Sequence, residues 1–142
     1  MTAPFRRWRS PRGDVGWEGG GRTYKLSLDG HELYLTVVDG PDGGCAHMTV
    51  RNSKMGSAMF GALAALTNQV AERLAAGAEL LDVCRSLRGM SYEPRGVVVH
   101  EGSLSIVSAS SPADLVAQVL GCRYLWPGWE DSPAPSPQAA QP

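Results

Sequence analysis

The sequence predicts an α+β fold: antiparallel hairpins packed against three helices in the order β-β-β-α-α-β-β-α, forming a single domain. Three observations carry this expectation. Apolar and polar residues alternate on both sides of Asp29-Gly30, the pattern of a β-hairpin with one buried face. From Met55 the apolar period changes to three or four residues, the spacing of a helix with one core-facing stripe. Near the C-terminal end, Ser111-Pro112-Ala113-Asp114 opens an apolar run with the residue types that start helices.

Taken in order, 23-TYKLSLDGHELYLTVV-38 places Tyr24, Leu26 and Leu28 on one face, then Leu33, Leu35 and Val37. Asp29-Gly30 between them tolerates the positive φ angles of a two-residue turn. The segment 39-DGPDGG-44 reads as a loop and 45-CAHMTVR-51 as a third strand. A helix over 54–76 aligns Met55, Met59, Leu63, Leu66, Val70 and Leu74, with Gly77 as its C′ stop. A shorter helix at about 79–88 presents Leu80, Cys84 and Leu87, followed by Gly89. A second hairpin pairs 96-GVVVH-100 with 103-SLSIVS-108 around Glu101-Gly102. The last helix has Ser111 as N-cap, Pro112 at N1 and Asp114 near a capping-box position, and Leu115, Val116, Val119 and Leu120 form its core face.

The expected folded unit is 22–126. Residues 1–21 carry the basic arm 5-FRRWRSPR-12 and a glycine-rich stretch without apolar periodicity, so a disordered tail is expected. Residues 127–142, 127-PGWEDSPAPSPQAAQP-142, alternate proline with small polar residues and are expected as a second disordered tail. The chain has 142 residues and a net charge of −1, which removes a chain-wide electrostatic case for nucleic acid or anionic membrane. No apolar stretch reaches the ~20 residues that span a bilayer. No secretory signal is visible, and Cys45, Cys84 and Cys122 are an odd, widely spaced set. Reduced thiols and a cytoplasmic location are the expectation.

The chemistry-bearing residues point in several directions. In 52-NSKMGSA-58, free N–H groups at a strand-to-helix junction can hold a phosphate, with Lys54 adding charge, Ser57 a hydroxyl and Gly56 close backbone approach. The same residues serve equally as a cap from Asn52 or Ser53 with small residues for packing, the commoner use of such a motif. In 91-SYEPRG-96, Pro94 drives Glu93 toward extended backbone and Gly96 takes positive φ, which makes a chain reversal. Tyr92 and Arg95 on that turn can stack on a base or hold a phosphate. His31, His47 and His100 are scattered, and with Cys45 they lack close metal-ligand spacing, so no metal is assigned. No catalytic residue is assigned either. Arg6, Arg7, Arg9 and Arg12 could give weak, salt-sensitive nucleic-acid contact at most.

Three blocks in this order, 53-SKMGSAMFGALAALTNQVAERLAAG-77, 91-SYEPRG-96 and 108-SASSPADLVAQVLGCRYL-125, resemble the C-terminal region of cobalamin-dependent (class II) ribonucleotide reductases, the TSCPD domain. There a Gly-Ser helix precedes a second helix, a Phe/Tyr-Glu-Pro-x-Gly turn and a Ser-x-Pro-Asp-like helix ending in Arg/Asp-Tyr-Leu. The resemblance covers roughly residues 22–125. It implies a standalone, non-catalytic accessory or split piece linked to deoxyribonucleotide supply for DNA synthesis, with a reductase catalytic chain as partner. Adenosylcobalamin is implied only for the full-length family, because the family's barrel, radical cysteine and Cys-x-x-Cys tail have no counterpart in these residues. No cofactor is expected for this chain alone. The alternative is an independent nucleotide-binding module, as a monomer or homo-oligomer, with its anion site at the N-terminus of the 54–76 helix.

Overall fold

The computed structural model of the chain describes residues 6–9, 15–18, 20–40, 43–51, 57–102 and 104–133. Within the N-terminal stretch expected as a disordered tail, β1 (Arg6–Arg9) and β2 (Val15–Glu18) pair antiparallel, with Trp8 opposite Gly16. Backbone pairing needs no apolar periodicity, and Trp8, Val15 and Trp17 are residue types that favour strands. This ribbon is separate from the main sheet.

The main sheet has five antiparallel strands in the order β5-β4-β3-β6-β7. Its central hairpin is β3 (Gly21–Leu28) with β4 (His31–Asp39), closed by Asp29 and Gly30 at φ 50° and 81°. Two successive positive φ values match the right-handed strand twist, which is why Asp-Gly suits this turn. The register sets Leu26 opposite Leu33 and Tyr24 opposite Leu35, so both apolar rows face inward. Gly21 starts the pair because an added Cβ there would run into the Val37 carbonyl. β5 (Cys45–Arg51) extends the sheet beside β4 and buries Met48.

On the other side of β3 lies β6 (Gly96–His100), paired with Leu28 opposite Val98. Here the observed hairpin departs from the expected one. The return strand β7 is only Ser108–Ala109, paired with Val97 and Gly96. Beyond the backbone bond from Val98 N–H to Val107 O at 2.9 Å, side-chain bonds take over: His100 Nε2 meets Ile106 O at 3.0 Å, and Gly102 N–H donates to His100 Nδ1 at 2.9 Å. Alternation also fails, since Val107 (78% exposed) and Ser108 are both turned outward after the buried Ile106.

Three helices complete the layer against the sheet. α1 (Ser57–Ala75) buries Leu63 and Val70, with Leu66 and Leu74 packed at the margin, as the periodicity requires. Its expected first residues, 54–56, lie outside the described ones. α2 (Leu80–Leu87) buries Val83, Cys84 and Leu87. α3 (Pro112–Tyr124) starts as the sequence expects: Ser111 Oγ accepts from the Asp114 N–H at 2.9 Å, and Pro112 occupies N1. It is not one-sided, however. Residues 112–117 and 119–121 are all buried, so α3 is the central helix of the domain.

Packing also extends past residue 126. Trp129, placed by the sequence reading in a disordered tail, is 4% exposed and belongs to the core. Its indole lies against Gly121 so closely that an added Cβ there would overlap the ring. Arg85 holds the same turn by donating to the carbonyls of Trp129 (2.9 Å) and Ser132 (2.8 Å). A large aromatic covers enough area to order a short proline-rich stretch that has no periodicity of its own. We expect Trp129→Ala to cost about 3–5 kcal/mol, and a chain ending at residue 126 to lose at least as much. Calorimetric unfolding measures both; an unchanged midpoint in either would put the boundary back at 126.

Candidate functional site

The residues singled out by the sequence do not form one constellation. Lys54 and Gly56 lie outside the described residues, and Ser57 is the first residue of α1. Tyr92 and Arg95 share the turn around the cis Glu93–Pro94 bond. Tyr92 is 41% exposed, yet its hydroxyl accepts from the Ala113 N–H at 3.2 Å, and its own N–H donates to Ser110 O at 3.0 Å. It thus takes up a free N–H in the first turn of α3. Arg95 bonds locally, Nη1 to Ser91 Oγ at 2.9 Å. Of the basic arm, Arg6, Arg7 and Arg9 lie on β1, and Arg12 is outside the described residues.

Two carboxylates dominate the polar interior. Asp114, 1% exposed, accepts four hydrogen bonds. Arg88 Nη1 (2.6 Å) and Gly89 N–H (2.8 Å) donate to Oδ1, while Ser110 N–H (3.0 Å) and Gln118 Nε2 (3.0 Å) donate to Oδ2. Burial by itself would raise its pKa. The two backbone N–H groups and the Arg88 guanidinium outweigh that and hold it below the ordinary carboxylate range. Asp39, at the end of β4, is gripped by Arg123 through Nε (3.0 Å) and Nη2 (2.8 Å), and by Tyr124 OH at 2.6 Å. Arg123 Nη1 also reaches Tyr24 OH at 3.3 Å. The Arg123 bonds push the Asp39 pKa down against the opposing effect of burial. Burial, joined by the hydrogen bond to Asp39, pushes the Tyr124 phenol up.

These groups are committed to one another, and the thiols of Cys45 and Cys84 are held protonated. Burial raises Cys45 to about 11 and Cys84 to about 12, which leaves little thiolate at neutral pH. Cys122 is exposed, with Ser105 Oγ 3.6 Å from its sulfur. Burial lowers the pKa of His47. No cluster of three or more His, Cys, Asp or Glu suited to a metal occurs among the described residues. Nor is any helix among them long and apolar enough to cross a membrane.

A cleft of about 530 Å³ is bounded by Gly43, Gly44 and Cys45, the end of α1, the start of α2, and residues 124–126. Its walls include Leu74, Leu80, Leu81, Tyr124, Leu125 and Trp126, with Glu79 as its acid. The indole Nε1–H of Trp126 is enclosed with no hydrogen-bond acceptor. The sequence reading missed this cleft, as well as the partners of Asp39 and Asp114. Arg123 stands 84 residues from Asp39, and no local pattern links them. Asp39 heads an Asp-Gly-Pro-Asp-Gly-Gly run and so reads as a turn residue.

No family model matches the chain, and no solved structure does. A vitamin B12-dependent ribonucleotide reductase of Rhodopirellula baltica is similar in sequence, 29% identical over 103 residues. The match takes in 72% of this chain, which spans about a tenth (10%) of that relative's length.

These two carboxylates, Asp39 and Asp114, make a pH-dependent stability. Both have folded-state pKa values below their unfolded ones, so the unfolded chain binds more protons as pH falls. Their stabilisation is complete above about pH 4, the unfolded carboxylate value, and is lost as pH drops through the folded values. Asp114→Asn should cost about 3–5 kcal/mol at pH 7, because it places an amide donor among four donors and removes the 2.6 Å partner of Arg88, leaving it only Glu130 at 3.7 Å. Thermal melts between pH 7 and pH 2.5 should show the variant less dependent on acid than the parent. Parallel curves would mean that Asp114 does not supply the pH dependence.

Proposed function

We propose that this chain is a non-catalytic accessory or split piece related to a domain of vitamin B12-dependent ribonucleotide reductases, acting in deoxyribonucleotide supply for DNA synthesis. The observation that supports this reading best is the extent of the similarity, most of this chain against a tenth of the relative. Two features support the reading for the groups concerned: the Asp39 and Asp114 carboxylates are saturated with donors, and the Cys45 and Cys84 thiols are held protonated. The complete enzyme's adenosylcobalamin is not assigned to these residues. Both ring nitrogens of His100 are engaged by Ile106 O and Gly102 N–H. The cleft has the capacity of a drug-sized molecule rather than a corrinoid. The partner in this reading is a reductase catalytic chain. The sequence alternative, a nucleotide module with Lys54, Gly56 and Ser57 at an anion site, rests on the residues alone.

We expect the purified chain to reduce no ribonucleotide when supplied with adenosylcobalamin and a dithiol. Turnover above a no-protein control that disappears on replacing Cys45, Cys84 or Cys122 by serine would overturn the non-catalytic reading. Size-exclusion chromatography with light scattering, in the presence of the same organism's B12-dependent reductase, should show a complex larger than either component. Separate elution at micromolar concentrations would overturn the accessory role.

A further inference from the structure

The inward rows of the main sheet pack with residues of all three helices in one core. The alternate residues of the same strands point the other way and are exposed or half-buried. The pairing register gathers these outward residues into rows that cross the strands. Lys25, Tyr34 and Arg51 stand side by side on β3, β4 and β5. Thr23, Thr36 and Thr49 form the next row, with the first two hydroxyls 2.8 Å apart. On the other side of the Lys25 row, exposed Val99 lies beside Ser27.

The middle row sets an aromatic ring between two cations. Neighbouring strands are about 4.8 Å apart, so Lys25 and Arg51 stand about 10 Å apart with Tyr34 between them. The Arg51 guanidinium lies 5.9 Å from the centre of the Tyr34 ring. Neither cation has a carboxylate partner among the described residues. The nearby acids already have donors: Glu32 accepts from Tyr34 OH at 3.3 Å, and Glu101 from Arg22 at 3.3 Å. More positive charge enters where this sheet begins. Residues 1–21 carry four arginines against two acids, while residues 22–142 carry nine basic and twelve acidic residues. Three of those arginines lie on β1, whose partner β2 ends at Glu18, three residues before β3 starts at Gly21. An open surface with cations on both sides of an aromatic suits a flexible polyanion whose units carry flat rings. A duplex keeps the faces of its bases stacked on one another and cannot use the ring.

We propose that this open sheet face binds single-stranded nucleic acid, with a base stacked on Tyr34, the adjoining phosphates on Lys25 and Arg51, and the β1 arginines adding charge. Val99 on one side and the threonine row on the other give the neighbouring nucleotides apolar and hydrogen-bonding surface. Every base has a π face, so the binding tolerates any sequence. Few phosphate contacts on a chain of net charge −1 make it weak and salt-sensitive. Nothing in this binding requires a reductase partner.

Fluorescence anisotropy of a labelled oligothymidylate of about 15 nucleotides, titrated with the full chain at low salt, tests this. Affinity should fall as salt rises, and Arg51→Ala should lessen the slope of log affinity against log salt by about 0.7, the share of one phosphate. Tyr34→Leu keeps an apolar side chain in the row but removes the π face, so affinity should drop at least about fivefold. Tyr34→Phe keeps the ring and should bind as the parent does. Arg73→Ala, an exposed cation on α1 in the helix layer, should leave affinity and slope as they are. No anisotropy change at submillimolar protein overturns the proposal. So does undiminished affinity in Tyr34→Leu, or a loss in Arg73→Ala equal to that in Arg51→Ala. Tighter binding of a duplex of the same length, or equal binding of a heparin fragment, would identify a surface that responds to charge alone and overturn the assignment to unpaired bases.

Discussion

The carboxylate of Asp114 is the constraint on which the arrangement of this domain depends. A buried negative charge is tolerated only when donors surround it, and here the donors come from three separate places. Arg88 and Gly89 close the end of α2, Ser110 belongs to the turn before α3, and Gln118 lies one helical turn further along α3. The chain must therefore bring the end of α2 to the start of α3 before the charge can be buried. Ser110 adds to the same junction by donating its hydroxyl to Met90 O at 2.7 Å. Gly89 makes the junction possible: at φ +87° it ends α2 and turns its N–H to Asp114.

The opposite end of α3 is held by the complementary charge. Arg123 in its last turn grips Asp39 at the end of β4, and Tyr124 adds a third bond to the same carboxylate. An acid in the first turn and a base in the last both favour the helix dipole. Each also ties the helix to a different part of the fold, Asp114 to α2 and Arg123 to the sheet. α3 can then be apolar around most of its circumference, because its polar attachments are confined to the two ends. The central position in turn allows Trp129 to close over Gly121, the one place where the helix has no side chain in the way.

Local signals were legible in the sequence, and long-range ones were not. Asp29-Gly30, the period of α1 and the Ser111-Pro112 start each involve neighbours within one turn or one hairpin, and the structure has all three. The short β7 escaped the reading because His100 takes over backbone partners that a ladder would otherwise supply. Trp129 escaped it because proline and glycine around a lone aromatic look like a linker, while its burial depends on the gap at Gly121. The clasp of Arg123 on Asp39 has no signature in composition or spacing. The cleft at Trp126 was hidden for a related reason, since its walls come from three distant segments.

The residues that carry the resemblance to the reductases have an informative distribution. Ser111 and Pro112 cap α3, Asp114 joins it to α2, and Arg123 and Tyr124 fasten it to the sheet. Glu93-Pro94 forms the turn that delivers Tyr92 to the first N–H groups of α3. All of these motif positions work as attachments of one central helix. A likeness at these positions reports a common way of burying α3, and it would persist in a chain with no cobalamin chemistry. Function on such a scaffold belongs to surfaces the motif leaves free.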